Sequence, residues 1–242
     1  MNKNIKCEHY KRSCFIYSLC CKKWYQCRIC HDESEDHSLD RFKISKIKCA
    51  KCGKIQKPSN KCIQCSNKFA DYYCNICHLW DSNKDIYHCD KCGICRSGKN
   101  EKMYHCDECN ICIPTETKFT HTCVRNSPHN DCPICLEDMF TSTKELMVLN
   151  CGHWIHKDCN EKYAEKSYRC PTCKKSMWDM ELCWNKINDY MKNIEFPKEF
   201  ENAKANIICN DCLEKSTVNY SVIHKCLKCN SWNTTLEDLV NN

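Results

Sequence analysis

The sequence predicts several small domains of irregular α+β structure rather than one large globular domain. Thirty of the 242 residues are cysteine, and small domains with thin apolar cores are commonly held together by disulfides or metal ions. Most of these cysteines form C-x-x-C pairs, a spacing at which two thiolates can bind one metal ion. The pairs are Cys27/Cys30, Cys49/Cys52, Cys62/Cys65, Cys74/Cys77, Cys92/Cys95, Cys109/Cys112, Cys132/Cys135, Cys170/Cys173, Cys209/Cys212 and Cys226/Cys229.

Metal is favoured over disulfides by the rest of the sequence. The N-terminal stretch MNKNIKCEHYKRSC contains no apolar segment of the kind that a secretory signal requires. No apolar run approaches the roughly 20 residues of a membrane span. We therefore expect a cytosolic or nuclear protein with reduced cysteines. Because histidines interleave with the cysteines, zinc is favoured over an iron–sulfur cluster.

The first cysteine-rich segment, residues 7–65, contains enough ligands for three tetrahedral sites. The stretch CAKCGKIQKPSNKCIQC (49–65) supplies Cys49, Cys52, Cys62 and Cys65, which suffice for one ion. Eight further ligands must share two ions, and we expect adjacent residues to bind different ions because their side chains diverge. These ligands are Cys7, His9, Cys20, Cys21, Cys27, Cys30, His31 and His37.

The second segment, residues 74–123, contains an internal repeat. The stretches YHCDKCGIC (87–95) and YHCDECNIC (104–112) are near copies, 17 residues apart. Three units supply ligands for three more ions, and the sequence leaves open which ligands share an ion. One possibility is that ions bridge successive units and hold a spiral of short strands. The ligands are Cys74, Cys77, His88, Cys89, Cys92, Cys95, His105, Cys106, Cys109, Cys112, His121 and Cys123.

The third segment, residues 132–173, has the spacing C-x2-C-x15-C-x-H-x2-H-x2-C-x10-C-x2-C. Eight ligands in this order predict a cross-brace, in which alternate ligand pairs bind the same ion. The piece HKDCNEKYAEKSY (156–168) predicts a short helix because it is rich in good helix formers. One ion is expected on Cys132, Cys135, His156 and Cys159, and the other on Cys151, His153, Cys170 and Cys173.

The fourth segment predicts a zinc ribbon with one ion on Cys209, Cys212, Cys226 and Cys229, around the β-prone stretch TVNYSVI (217–223). Between the third and fourth segments, DMELCWNKINDYMKNI (179–194) predicts an amphipathic helix that ends before EFPKEF (195–200). Its apolar face comprises Trp184, Ile187, Met191 and Ile194.

The proposed ligands fill whole sites. Together, 28 cysteines and eight histidines give 36 ligands, enough for nine four-coordinate zinc ions. A catalytic zinc keeps an open position, whereas each of these sites can be saturated, so all nine ions are expected to be structural. The residues left over are Cys14, Cys183, His78, His129 and His224. His78 follows Cys77 as His31 follows Cys30, so His78 is an alternative ligand.

These motifs resemble known zinc-finger types. The third segment resembles a RING-H2 finger. The first, with CEHY (7–10), CCKKWYQCRICHDE (20–33) and HSLDRF (37–42), resembles a CHY-type zinc finger, and the second resembles a CTCHY-type finger. In this order, over about residues 5–235, the chain resembles the RING finger and CHY zinc finger ubiquitin-protein ligases. The corresponding domains are 1–67 (CHY), 68–126 (CTCHY), 127–178 (RING-H2) and 179–242 (helix plus zinc ribbon).

The resemblance implies transfer of ubiquitin from a conjugating enzyme to substrate lysines, with no covalent ubiquitin intermediate on this chain. The expected partners are the conjugating enzyme, ubiquitin and a protein substrate recruited by the other zinc segments; no membrane is involved. By position, Ile134, Trp154 and Pro171 are the expected docking residues. Lys174 stands where many RING fingers carry arginine, which forms bidentate contacts that lysine does not.

Two alternatives remain open. A cysteine relay would need an activated free thiolate, and only Cys14 and Cys183 lie outside the ligand set; Cys183, beside Trp184, is expected in an apolar setting that favours an inert thiol. A non-catalytic zinc-finger scaffold could instead bind protein or nucleic acid. The net charge of +6 is spread over the chain, and many aromatic residues adjoin zinc ligands, which disfavours nucleic acid.

Overall fold

Short β-hairpins dominate the computed structural model, which describes residues 7–194, 197 and 202–240. The chain divides into two compact units, Met1–Cys106 with Cys112–Lys118, and Asp107–Ile111 with Phe119–Asn242. Many short strands and few helices confirm the predicted fold class of small zinc-binding domains. Among the described residues, no helix is both long enough and apolar enough to cross a membrane.

The strands of the first unit are β1 (Cys14–Tyr17), β2 (Trp24–Tyr25), β3 (Ile47–Cys49), β4 (Ile55–Gln56), β5 (Tyr72–Cys74), β6 (Leu79–Asp81), β7 (Ile86–Cys89), β8 (Ile94–Ser97), β9 (Met103–Cys106) and most of β10 (Ile111–Pro114). The second unit contains β11 (Leu146–Val148), β12 (Trp154–His156), β13 (Lys204–Cys209), β14 (Lys215–Asn219) and β15 (Thr234–Val240). The helices are α1 (Arg28–Asp32), α2 (Lys157–Ala164) and α3 (Glu181–Lys192).

An antiparallel sheet of order β2-β1-β3-β4 forms the core of the first unit. Alternate residues of β1 point inward, so that Ile16 lies opposite Ile47 in the buried layer. Trp80 of β6 is fully buried in this core, donates its indole N–H to the Ser59 carbonyl at 2.9 Å and stacks on Tyr73. One large aromatic residue therefore supplies much of the apolar packing that this small unit has.

The repeat in residues 74–123 coincides with short hairpins. Strands β5 and β6, β7 and β8, and β9 and β10 form two-stranded sheets. In the middle hairpin, His88 lies opposite Cys95 and Cys89 lies opposite Ile94. The pairing places the histidine of one repeat, His88, beside the second cysteine of the next repeat, Cys95.

The second unit contains a small finger followed by a helix and a three-stranded sheet. The hairpin β11-β12 leads directly into α2, which lies within the predicted range 156–168. Helix α3 confirms the amphipathic helix predicted over 179–194; Trp184 on its half-buried face packs edge-on against Tyr168. The final sheet has the order β14-β13-β15. The predicted helix stop at 195–200 lies outside the described residues except for Pro197.

Candidate metal centres

The cysteine turns share one backbone geometry. In seven of them, the residue after the second cysteine has positive φ, and its N–H donates to the carbonyl of the first cysteine at 2.9–3.1 Å. Left-handed backbone costs a residue other than glycine roughly 1–2 kcal/mol, so metal binding must hold such turns. These pairs are Gly53–Cys49, Ser66–Cys62, Gly93–Cys89, Leu136–Cys132, Lys174–Cys170, Leu213–Cys209 and Asn230–Cys226.

The sulfur positions fit tetrahedral zinc. With Zn–S bonds of about 2.3 Å, the sulfurs of one tetrahedron lie about 3.8 Å apart. The Cys49 and Cys65 sulfurs are 3.7 Å apart, and those of Cys52 and Cys62 are 3.5 Å apart. None of the 30 cysteines, all of which lie in the described residues, forms a disulfide. The donor set and its spacing therefore indicate zinc.

Groups of this kind recur along the described residues. Within each group, one ligand atom per residue lies within 4.8 Å of all the others. Besides the five groups named here, four more are present, and the number of ions bound remains a prediction. The five are Cys7/His9/Cys27/Cys30, Cys20/Cys21/His31/His37, Cys49/Cys52/Cys62/Cys65, Cys74/Cys77/His88/Cys95 and Cys89/Cys92/His105/Cys112.

Adjacent ligands behave in two ways. Cys30 and His31 belong to different groups, as predicted, but Cys20 and Cys21 belong to the same group, so the prediction for that pair was wrong. Their sulfurs are 3.8 Å apart, and each lies 3.3 Å from Nε2 of His31. The chain turns sharply here, with φ of 52° at Lys22, and the turn brings together side chains that would diverge in extended backbone.

Carboxylates orient the histidines of the first segment. In each histidine, the ring nitrogen that faces away from the cysteines contacts a carboxylate. The distances are 3.2 Å for His9–Glu33, 2.9 Å for His31–Asp32 and 2.8 Å for His37–Asp36. A carboxylate that accepts this N–H fixes the tautomer and directs the other nitrogen at the metal. The three pairs were not predicted, although each acidic residue lies close to the ligands in CRICHDESEDH (27–37).

The repeat segment interleaves its ligands between units. Cys95 joins Cys74, Cys77 and His88, although the C-x-x-C spacing had paired it with Cys92. The sequence had left the sharing of ligands open in this segment; Cys89/Cys92 also has the C-x-x-C spacing and is the pair that forms the turn. Gly93, which follows Cys92 at φ of 68°, was the available signal.

The same shift occurs one unit later. Cys112 joins Cys89, Cys92 and His105 in a group that does not include Cys109, its C-x-x-C neighbour. Two of the candidate metal sites thus take ligands from successive repeats, the possibility that the sequence had left open.

A tyrosine supports the first of these bridging groups. The hydroxyl of Tyr72 lies 3.4 Å from the sulfur of Cys95, where it can donate to a thiolate. Burial and this sulfur raise the pKa of Tyr72 above its usual value, so the hydroxyl keeps its proton. The tyrosines at 72, 87 and 104 each precede a cysteine by two residues, so this position recurs with the repeat.

Contacts in the third segment lie within the predicted ligand sets. The sulfur of Cys135 is 3.3 Å from Nδ1 of His156, while Nδ1 of His153 lies 3.5 Å from Cys151 and 3.8 Å from Cys170. Nε2 of His156 contacts Ser142 at 3.0 Å. In the fourth segment, the Cys209–Cys229 and Cys212–Cys226 sulfur distances are 3.5 and 3.6 Å.

The residues outside the ligand sets have other roles. His78 lies 2.8 Å from the Arg41 carbonyl, to which its Nδ1–H donates, and is in none of the named groups. Cys14 is fully buried in the core of the first unit, and burial raises the pKa of its thiol to about 11. Cys183 is exposed on α3, so the apolar setting expected for it was wrong: it lies about 100° around the helix from Trp184.

The predicted docking residues differ in exposure. Ile134 is 38% exposed and Leu136, which the sequence analysis did not single out, is 75% exposed. Lys174 is exposed and Pro171 is half-buried. Trp154 is only 6% exposed, so it packs inside the finger and offers little surface to a partner.

This chain is a multi-zinc-finger protein. Its cysteines lie in paired turns, carboxylates hold its first histidines, and successive repeats of residues 74–123 share ligands. Family models match as CHY zinc finger over residues 7–72, Ring finger domain over 130–174 and Zinc-ribbon over 178–235. The E3 ubiquitin-protein ligase RZFP34 of Arabidopsis thaliana is 37% identical over 94% of this chain and 83% of its own length. The E3 ubiquitin-protein ligase SRFP1 of Oryza sativa is also 37% identical, over 94% of this chain and 90% of its own length.

The chain belongs to the RING finger and CHY zinc finger family, as its sequence had predicted. Other relatives are much longer. A BRUTUS-like zinc finger protein of Arabidopsis thaliana is 41% identical over 95% of this chain, which spans 19% of that relative. The three-finger order is therefore found both in proteins of similar size and within larger ones.

Proposed function

We propose that this protein is a RING-type E3 ubiquitin-protein ligase. The observation that carries the proposal is the eight-ligand finger with Ile134 exposed on a cysteine turn. The names of the similar-sized relatives, which are E3 ubiquitin-protein ligases, support it. The partners we propose are a ubiquitin-conjugating enzyme, ubiquitin and a protein substrate.

In this mechanism the chain makes and breaks no bond itself. The substrate lysine amine attacks the thioester carbonyl, the conjugating enzyme's cysteine thiolate leaves, and the amine proton passes to solvent or to a base of the conjugating enzyme. Zinc contributes folding free energy. The finger gains rate by holding the thioester in an orientation that favours attack. A relay through Cys14 is disfavoured because its thiol is buried with a raised pKa.

We propose that docking uses the outer surfaces of the two cysteine turns of the finger. Ile134 and Leu136 flank Cys135 and are both exposed. In the second turn, Pro171 follows Cys170 and is half-buried, and Lys174 follows Cys173 and is exposed. An apolar anchor beside a cationic side chain suits a surface that combines apolar and acidic groups.

The remaining zinc segments are proposed to recruit the substrate, with nine structural ions in the whole chain. Since thiolate-bound zinc is stable in reducing compartments, we also propose a cytosolic or nuclear location. Imaging of the tagged chain in cells checks the location, and elemental analysis of the purified chain checks the count.

The test is a reconstituted ubiquitylation assay with a panel of conjugating enzymes. Wild type is compared with Ile134→Ala, which removes the docking side chain and leaves both zinc sites intact. The matched control is Ile76→Ala, because Ile76 holds the same place in the turn CNIC (74–77) and is also exposed. We expect ubiquitin chains from wild type and Ile76→Ala, and at least tenfold fewer from Ile134→Ala.

Zinc content decides between outcomes. Each variant must carry as much zinc as wild type, so that lost activity reports lost docking. Wild type that is fully loaded and yet silent across the panel would contradict the ligase proposal. Equal loss in Ile76→Ala would mean that the assay reports general damage to zinc turns.

A second candidate function, binding without ligase activity, has one observation in its favour. On the outer face of the first sheet, the Lys48 ammonium lies 5.4 Å from the Phe15 ring and 4.9 Å from the Trp24 ring, and Lys46 lies 5.8 Å from the Tyr17 ring. Cationic and aromatic groups together suit a polyanion or an acidic segment. Binding of RNA or DNA with a steep salt dependence would support this function.

A further inference from the structure

The zinc ribbon contacts the second RING turn through buried polar side chains. Asn233 is fully buried, and its Nδ2 donates to the carbonyl of Lys174 at 2.8 Å. Asp211, in the first cysteine turn of the ribbon, accepts from the Ser176 N–H at 2.7 Å and from the Ser176 hydroxyl at 3.0 Å. The backbone on both sides of Lys175 is thus held by the ribbon.

The polar contacts form one connected network. Asn233 Nδ2 also donates to Asp211 at 2.9 Å, and the Ser231 hydroxyl donates to the same carboxylate at 2.6 Å. Oδ1 of Asn233 accepts from Asn210 at 3.1 Å. A flipped Asn233 amide would place its oxygen against the Lys174 carbonyl and a carboxylate, so the network permits one amide orientation.

An apolar contact supports the same turn from another side. Trp184 of α3 packs edge-on against Tyr168, with ring centroids 5.5 Å apart, just before the cysteine turn. Asn188, one turn further along α3, accepts from the indole N–H of Trp232 in the ribbon at 3.1 Å. The helix thus contacts the chain before the cysteine turn, at Tyr168, and the ribbon contacts it after the turn, at Lys174 and Ser176.

Lys174 is the residue that this arrangement orients. Its backbone is left-handed, with φ of 66°, and its side chain is exposed. Leu136, at the same place in the first RING turn, has φ of 60°, so the cysteine turn itself sets the φ of Lys174. The ribbon adds a hydrogen bond that fixes the Lys174 carbonyl. The buried Asn233 amide, held by Lys174, Asp211 and Asn210, restricts the peptide plane after Lys174, and therefore the direction in which its side chain leaves the turn.

We propose that Asn233 is a positioning residue for ubiquitin transfer, through which the ribbon fixes Lys174 against the ubiquitin-loaded conjugating enzyme. This inference rests on the proposed ligase function. The ribbon then has a role in the rate of transfer besides any role in substrate recruitment. The ribbon affects the complex with the ubiquitin-loaded conjugating enzyme, because the Ile134 surface that anchors the conjugating enzyme lies on the other RING turn.

The test measures ubiquitin discharge from a loaded conjugating enzyme to free lysine, with the full chain at saturating concentration. We expect Asn233→Ala to lower the saturating rate by at least about fivefold, the factor that corresponds to one hydrogen bond of ~1 kcal/mol. The dissociation constant for the conjugating enzyme without ubiquitin changes by less than this factor, because Ile134 and Leu136 on the other turn stay in place. Asn206→Ala is the matched control, because Asn206 lies in the same ribbon and accepts from Thr217 instead.

A double-mutant cycle separates positioning from general support. If Asn233 acts through Lys174, then Lys174→Ala lowers the saturating rate, and adding Asn233→Ala lowers it no further. Losses in rate that add in the double variant would overturn the proposal. So would a reduced rate in Asn233→Ala together with a wild-type rate in Lys174→Ala. So would a wild-type rate in a zinc-loaded Asn233→Ala.

Folding and function failures are distinguishable. Should Asn233→Ala lose zinc, Asn233→Leu keeps the volume and has no N–H for Lys174, without placing a second carboxylate beside Asp211. Loss of zinc in both variants would make Asn233 a structural residue of the ribbon and the positioning proposal wrong. A wild type that discharges no ubiquitin would instead refute the ligase proposal on which this inference rests.

Discussion

The interleaved ligands of the repeat segment give the sharpest test of the zinc architecture. Cys95 can be removed together with Cys74, whose group it shares, or together with Cys92, its C-x-x-C neighbour, which belongs to the next group. The sulfur of Cys92 lies 3.7 Å from that of Cys112, and the sulfur of Cys95 lies 3.9 Å from Nδ1 of His88. The two double variants remove the same number of thiolates from different numbers of sites.

The magnitudes follow from what each site loses. Structural zinc contributes about 10–16 kcal/mol of apparent binding free energy near neutral pH. Cys74→Ala/Cys95→Ala takes half the ligands from one site and leaves the next site complete. Cys92→Ala/Cys95→Ala takes one ligand from each of two sites and weakens both. We therefore expect the first variant to lose one ion and the second to lose two.

The assay is zinc counting after dialysis against a chelator. The chelator is chosen with a zinc affinity at which wild type stays loaded and each single alanine variant loses one ion. Native mass spectrometry then reports one ion missing from Cys74→Ala/Cys95→Ala and two from Cys92→Ala/Cys95→Ala. The reverse result, with one ion missing from the Cys92 pair, would show that ligands pair by sequence spacing and would refute the bridging arrangement.

Three further predictions concern single side chains. Trp80→Phe should destabilise the first unit by about 1–3 kcal/mol in urea unfolding, because the Ser59 carbonyl loses its buried donor; an unchanged midpoint would contradict this role. Asp36→Asn should speed chelator removal of one zinc ion about tenfold or more, since Asp36 orients His37; an unchanged rate would contradict it. Cys183→Ala should keep wild-type ubiquitin discharge, and a lost rate would revive a cysteine relay.

Much of the zinc architecture follows from sequence because the ligands are local. The four cysteines of 49–65 form one group, and the contacts of His153 and His156 lie within the cross-brace pairs that the third segment predicted. Helix α3 was predicted from the spacing of its apolar residues, which depends only on helix geometry. In each case the information lies within about one turn or one finger of chain.

The rest could not be predicted because it depends on competing or long-range contacts. Cys92 lies three residues from both Cys89 and Cys95, so spacing alone cannot choose a partner, and the backbone freedom of Gly93 decides. Cys20 and Cys21 converge only through the turn at Lys22. Asn233 lies 59 residues from Lys174, and no periodic pattern marks a single buried amide.

The cysteine turns link the stability of this chain to its surfaces. Seven of the turns place the following residue in left-handed backbone, and where that residue is Leu136 or Leu213 it is 75% or 62% exposed. Metal binding maintains this geometry and places an exposed side chain at a rigid tip. After Cys173 the same tip carries Lys174, whose carbonyl the ribbon holds. A rigid tip loses little entropy on association, so the zinc turns that stabilise each finger also supply pre-organised contact points. In the RING, the ribbon further restrains the tip at Lys174, which carries a charge, whereas the other tip carries Leu136.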